Sequence, residues 1–190
     1  MRAHTFVLAA LSLSAALSIP MQAQAPPVLE TYTATLQVNG PTTATTTVQI
    51  ALNRYTSDAD RDAVQKGLKH GGYPGFLTAL RNNYKAGTVA HGDRTWTIRW
   101  ASAKTTPQGK AIVLITDQPI HFLGNGSTAE PKPRAGYEVA VIQMELDGTG
   151  AGKGTLAAAA KVKAGGDQGV IVDDYGDERI EIVKVVREKS

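Results

Sequence analysis

Asp117-Gln118-Pro119-Ile120-His121 places a carboxylate and an imidazole four residues apart, directly after an apolar run of strand length. A general base oriented by a carboxylate has this composition, so a hydrolase using His121 and Asp117 is one functional expectation. The nucleophile is the weak point. Ser and Thr are abundant, and no spacing singles one out. His70 and His91 read more simply. His70 stands near the end of a helical pattern, where a cation suits the helix dipole, and His91-Gly92-Asp93 resembles a turn between strands.

Three further constellations suggest chemistry. Asp173, Asp174, Asp177 and Glu178 gather four acids over six residues. They form an oxygen-rich set that could suit calcium, but such a run is more often a solvated hairpin turn in which Gly176 takes a positive φ. Paired carboxylates for glycoside hydrolysis would need a cleft, and the sequence reveals none. Trp96, Ile98 and Trp100 alternate with Thr97 and Arg99, which sets all three on one face of a strand. They line a ligand cavity if that face is the inside of a barrel, and are core packing if it is not. Finally, "LDGTGAGKGTLAAAA" at 146–160 imitates a phosphate loop. Yet Asp147 stands where the first glycine of that loop belongs, and Gly154 where the magnesium-binding hydroxyl belongs. An EF-hand fails as well, because Thr149, Ala151 and Ala158 replace the oxygen ligands. A hairpin turn at Asp147-Gly148 followed by a returning strand is the better reading. No metal site and no cofactor is expected.

The elements that must position these residues are mostly strands. Tyr32, Ala34, Leu36 and Val38 alternate with polar residues, and Val48, Ile50 and Leu52 repeat the pattern after a turn at Asn39-Gly40-Pro41. "KAIVLITD" is continuously apolar, as in a strand buried on both faces. Tyr137, Val139 and Val141 give way to Ile142, Met144 and Leu146, and a β-bulge near Val141 is expected to switch the parity. "GVIVDDY" and "RIEIVKVVRE" add two short strands. The prediction is a mainly β fold, an antiparallel sandwich or barrel of about eight or nine strands. It carries a two-helix insertion after strand 2. The first helix is capped by Thr56 or Ser57, begins with Asp58, Asp60 and Asp62, and stops at Gly71-Gly72. The second starts at Pro74. Acids in the first helix and the export signal described next argue against a DNA-reading helix pair.

The N-terminus has the pattern of a secretory signal. Arg2 is followed by an apolar run from Thr5 to Ile19, and Ala23-Gln24-Ala25 matches a cleavage site. Residues 1–25 are therefore expected to be a signal peptide and 26–190 one β-rich domain, periplasmic or secreted. No membrane insertion is expected after cleavage. Without Arg2 the net charge is near +2, one less than that of the whole chain, which favours neither nucleic acid nor anionic lipid. The chain has no cysteine, so thiol nucleophiles, disulfides and Cys-ligated zinc are excluded.

"NRYTSDADRDAVQKGLKHGG", "ITDQPIHF" and "VIQMELDGTGAGKGTLAAAAKV" together resemble a family of small exported bacterial proteins to which no function is assigned. The likeness covers roughly Val48 to the C-terminus and consists of caps, turns and strand edges. It implies export and a shared fold, and it carries no catalytic residues. The leading functional expectation is an exported non-enzymatic β-domain that binds a small apolar or amphipathic ligand through Trp96, Ile98 and Trp100. The alternatives are the hydrolase above and a structural or protein-interaction module of the cell envelope, with the loop at 124–136 as its contact surface.

Overall fold

The structure is a computed structural model that describes residues 27–38, 44–121, 134–176 and 179–189. Nine antiparallel strands and one helix follow in the order β1 (Glu30–Val38), β2 (Ala44–Leu52), α1 (Asp58–Asn82), β3 (Gly87–His91), β4 (Arg94–Thr106), β5 (Gly109–Thr116), β6 (Val139–Asp147), β7 (Gly152–Ala164), β8 (Val170–Asp174) and β9 (Arg179–Arg187). The sheet runs β6-β5-β4-β3-β2-β1-β9-β7-β8, and a further pairing of β6 with β7 closes eight of the strands into a barrel. The ninth, β8, pairs with the distal half of β7. Of the two predicted architectures, the barrel is the one observed. Closure satisfies the strand edges that an open sheet would leave unpaired.

Alternation along the strands fills the inside. Tyr32, Ala34 and Leu36 from β1 meet Val48, Ile50 and Leu52 from β2, Trp96 and Ile98 from β4, Ile112 and Leu114 from β5, and Ile142, Met144 and Leu146 from β6. Ile120, just beyond β5, is fully buried in the same cluster, and its N–H donates to Ala158 O at 2.8 Å. The Asp-Gln-Pro-Ile segment thus closes one mouth of the barrel with an aliphatic side chain.

A second apolar cluster lies on the outer wall. Val64, Phe76 and Leu80 of α1 pack over Trp100, Val113, Ile115, Val139, Val141, Ala157, Ala160 and Val162. β5 is therefore apolar on both faces, Ile112 and Leu114 inward and Val113 and Ile115 outward, as its continuous run predicted. The run Ala157–Ala160 follows from the same arrangement. Strand β7 passes close under α1, where small side chains fit, and tertiary packing overrides the helix propensity of alanine.

Three expectations need correction. The insertion after β2 is a single helical element, α1, and not two separate helices. Both expected segments lie within it, joined at Gly72 without an intervening loop. Gly72 takes φ 59°, a left-handed value that costs a residue without Cβ little, and Pro74 starts the next turn. The halves are so close that a Cβ on Gly67 would lie 2.6 Å from Gly75 O. At the front, Ser57 is the cap, accepting from Asp60 N–H at 3.2 Å, whereas Thr56 is buried and accepts from Ala101 N–H at 2.8 Å.

The second correction concerns β6, which keeps one register with β5 from Val141 to Asp147 and does not switch parity. Val139 and Val141 point outward under α1, and Ala140, Ile142, Met144 and Leu146 point inward. The apolar pattern changes because the helix covers only one end of the outer face. The irregularity in the β6–β7 ladder, between Val139 and Val141, places the extra residue on β7.

Third, the positive φ of the β6–β7 turn falls on Gly150, at 85°, and not on the Asp147-Gly148 pair. Asp147 organises the turn by accepting from Thr149 N–H at 2.8 Å, Thr149 Oγ1 at 2.6 Å and Ala151 N–H at 3.1 Å. The expected turn at Asn39-Gly40-Pro41 and the signal segment lie outside the described residues.

Candidate functional site

Among the described residues, those singled out for chemistry are not assembled into one site. In β4 the ladder with β5 slips between Ile98 and Trp100, so Arg99 is the extra residue and the two apolar neighbours face opposite sides. Trp96 and Ile98 belong to the barrel interior, and Trp100 lies on the outer wall beneath α1. The expected three-residue ligand face is thus divided between two cores, both already occupied by protein side chains. None of the four clefts described below is lined by any of the three.

Asp117 gives one carboxylate oxygen to Arg99, whose Nε donates at 2.8 Å. Arg99 in turn donates to Asn83 O at 3.0 Å, and Arg81 Nη2 reaches Asp117 O at 3.4 Å. The Asp117 carboxylate therefore ties the end of β5 to Arg99 of β4, and its backbone carbonyl meets Arg81 at the end of α1. His121 follows Ile120, the residue that closes the barrel mouth. A small cleft of about 290 Å³ lies beside them, lined by Arg81, Asp117, Gln118, Pro119 and Glu138.

The remaining candidates have structural partners. His70 Nδ1 lies 3.0 Å from Lys66 O in α1, and His91 Nε2 lies 2.7 Å from Thr46 Oγ1 across the sheet. Asp173 pairs with Lys163 at 2.7 Å. Asp174 accepts from Tyr137 Oη at 2.6 Å and from Gly176 N–H at 2.9 Å, and Gly176 has φ 69°, as a hairpin turn requires. These bonds hold the Asp174 carboxyl below its usual range, first through Tyr137. Asp177 and Glu178 lie outside the described residues, as does most of the loop at 124–136. Among the described residues no group of three or more potential metal ligands comes together.

Two features absent from the sequence reading stand out. The first is a charged cluster at the other mouth of the barrel. Glu30, whose side chain is 8 % exposed, accepts from Tyr32 Oη at 2.9 Å, from Tyr55 Oη, and from Lys110 Nζ at 2.8 and 3.1 Å. Arg187 Nη2 is 3.5 Å away, and Lys110 Nζ sits 4.9 Å from the Tyr55 ring centroid. Burial alone would raise the Glu30 carboxyl, but the bonds from Lys110, Tyr55 and Tyr32 outweigh it and leave its pKa below the ordinary value. Burial, and then the Glu30 carboxylate, push both phenols well above theirs. A buried carboxylate satisfied by three donor groups, with the Arg187 guanidinium close by, is a closure device for the barrel end. Parity could have revealed it, since Glu30 shares the inward alternation of Tyr32, Ala34 and Leu36.

The second feature is a groove on the outer wall, away from α1. It measures about 650 Å³, and the strand registers order its floor. Val113 pairs Gln143, which pairs Thr155, which pairs Glu181; in the next row Ala111 pairs Glu145, which pairs Lys153. Arg179 and Val183 of β9 flank these rows, and Gln168, from the turn between β7 and β8, forms a wall. Two adjoining clefts of about 340 and 560 Å³ share Ala111 with it and prolong it toward the β4–β5 and β6–β7 turns. Lys104 and Asp167 form an ion pair that holds the β7–β8 turn against β4. The lining is hydrogen-bonding and carries both signs of charge, with no aromatic side chain. Single-strand periodicity cannot show such a groove, because its rows run across four strands.

Comparison of the chain with protein-family models, with curated proteins and with solved structures gave no match.

Proposed function

We propose that this protein is a non-enzymatic binding module of the exported compartment, and that it holds an extended polypeptide segment in the outer groove. The observation that carries this reading is the groove itself. It is open and elongated, two acids and two bases (Glu145, Glu181, Lys153 and Arg179) lie among amide and hydroxyl groups, and small apolar residues stand between them. A polypeptide of mixed charge complements that pattern, whereas a flat apolar ligand finds no aromatic platform there. The packing of Trp96, Ile98 and Trp100 into two side-chain cores supports placing the ligand outside the barrel. The pairing of Asp117 with Arg99 supports a positioning role for that carboxylate over a catalytic one.

A photo-crosslinking residue placed at Thr155, in the groove, and at Thr95, on the exposed outer face of β4, tests the reading in the protein's own compartment. A discrete polypeptide adduct is expected from position 155 and not from 95, and Glu181→Lys should diminish it. No adduct from 155, or equal adducts from both positions, would overturn the proposal.

A further inference from the structure

We infer that the turn between β7 and β8, residues 165–169, is a hinged flap that gates the outer groove, lifting to admit a polypeptide segment and closing over it. The gate presupposes the groove's role as a polypeptide site and adds how that site opens. The flap is anchored at its base, where Val162 and Val170 are buried in the outer core. Between them run Gly165-Gly166-Asp167-Gln168-Gly169, closed by Gly165 N–H to Gly169 O at 3.3 Å and Gly169 N–H to Gly166 O at 3.2 Å. Gly166 and Gly169 take φ of 68° and 87°, values that a residue without Cβ enters and leaves at little cost, so both sides of the tip can pivot. The tip is latched to β4 by the Lys104–Asp167 ion pair, whose side chains are both exposed. An exposed pair of this kind holds weakly.

Gln168 stands where the groove meets the adjoining cleft of about 340 Å³, since Ala111, Val113, Gln143 and Gln168 line both. A segment running along the wall must therefore displace the flap. Two polar atoms favour that displacement. Ser102, 2 % exposed, pairs with Val113 and so heads the row Val113–Gln143–Thr155–Glu181 on the outward face. Lys104, two residues further along that face, carries the latch. Ser102 Oγ and Gln168 Oε1 are both buried, and neither has a hydrogen-bond partner among the described residues. A hydroxyl and an amide oxygen left unsatisfied in the interior cost the closed position free energy. Lifting the flap offers both to the entering segment: Gln168 Oε1 accepts from a peptide N–H, and Ser102 Oγ donates to a peptide C=O. The segment thus gains contacts in the open position that the closed one denies it, which is what shifts a two-state element.

The chain has no cysteine, so a bridge can be placed cleanly. Full chain with the photo-crosslinking residue at Thr155 is prepared with Lys104→Cys and Asp167→Cys, and the two thiols are joined by a short bis-methanethiosulfonate bridge that reductant removes. The probe is a random-sequence pool of biotinylated peptides of mixed charge. The expected result is loss of the biotinylated adduct while the bridge is in place and its return after reduction. Asp167→Ala alone, which removes the latch, should form the adduct faster than the parent. An adduct that is equal before and after reduction, or slower in Asp167→Ala, would overturn the gate and leave the groove as a peptide site. No adduct in any form, the parent included, would remove the peptide reading and the gate with it.

Discussion

Strand β4 contributes one tryptophan to each of two cores, and the two are built differently. Around Trp96 the barrel surrounds its own interior, and the buried members of that core are strand residues apart from Ala86 and Ile120. Around Trp100 the packing depends on a single helix lying across an otherwise outward wall. The inner core is a product of closure, since the ladders fix which side chains face in. The outer core is a product of docking: α1 must be capped, kinked and seated before Trp100, Ile115 and Val141 leave water. One extra residue, Arg99, decides which tryptophan serves which core.

Truncation should separate the two cores most strongly. Trp96→Ala and Trp100→Ala are each expected to cost about 3–5 kcal/mol in chemical unfolding. If docking of α1 is cooperative with the barrel, both lower the midpoint of a single transition and leave its slope unchanged. Two transitions in Trp100→Ala alone would show that the outer core melts by itself, and would sharpen the contrast between closure and docking.

A smaller effect is expected at the charged mouth. Glu30→Gln should cost about 1–3 kcal/mol at neutral pH, because Lys110 and two buried hydroxyls lose their charged acceptor. The folded pKa of Glu30 lies below 4.5, so its contribution is full at neutral pH and is lost as pH falls through the folded value. The folded phenol values of Tyr32 and Tyr55 lie above 10.0, so their contribution is full below pH 10 and is lost as pH rises further. Thermal melts across pH should therefore show the difference between wild type and Glu30→Gln shrinking on the acid side. A difference that persists unchanged below pH 3 would remove Glu30 from the account of this end.

The smallest change addresses the kink. Gly72→Ala meets no atom closer than 4.0 Å and is strained only by its backbone, so about 1 kcal/mol is expected. A loss confined to α1, read as faster amide exchange there with the inner strands unaltered, would show that the helix can loosen on a finished barrel. No loss at all would mean that α1 tolerates a straighter path.

Much of the fold was legible because alternation is a local property. β1, β2 and β5 announce themselves by which neighbours are apolar, and the cap at Ser57 follows from side-chain chemistry within one helical turn. The stop read at Gly71-Gly72 is instead a kink inside α1, and the alanine run of β7 needed tertiary packing to be extended. The site was legible only in part. Trp96 and Ile98 were correctly paired on one face, but the strand pattern assigned Trp100 to it as well, because a bulge leaves no mark in a run of alternating residues. The inward parity of Glu30 was visible, yet its partners are far along the chain, at 55, 110 and 187, and no spacing rule connects them.

The sequence by itself determined that this chain forms antiparallel strands, that a capped helical segment interrupts them, that cysteine chemistry is excluded, and that the glycine-rich run after Asp147 turns the chain between two strands. These depend on residue type and on neighbours within a few positions. Tertiary structure alone decided that the sheet closes, that two cores share β4 to β7, that Glu30 meets Lys110 and Tyr55, and that Gln143, Thr155 and Glu181 form a row across the wall. Those outcomes depend on register between distant strands and on where α1 docks, which follow from the free energy of the whole assembled barrel and are not encoded in any one segment.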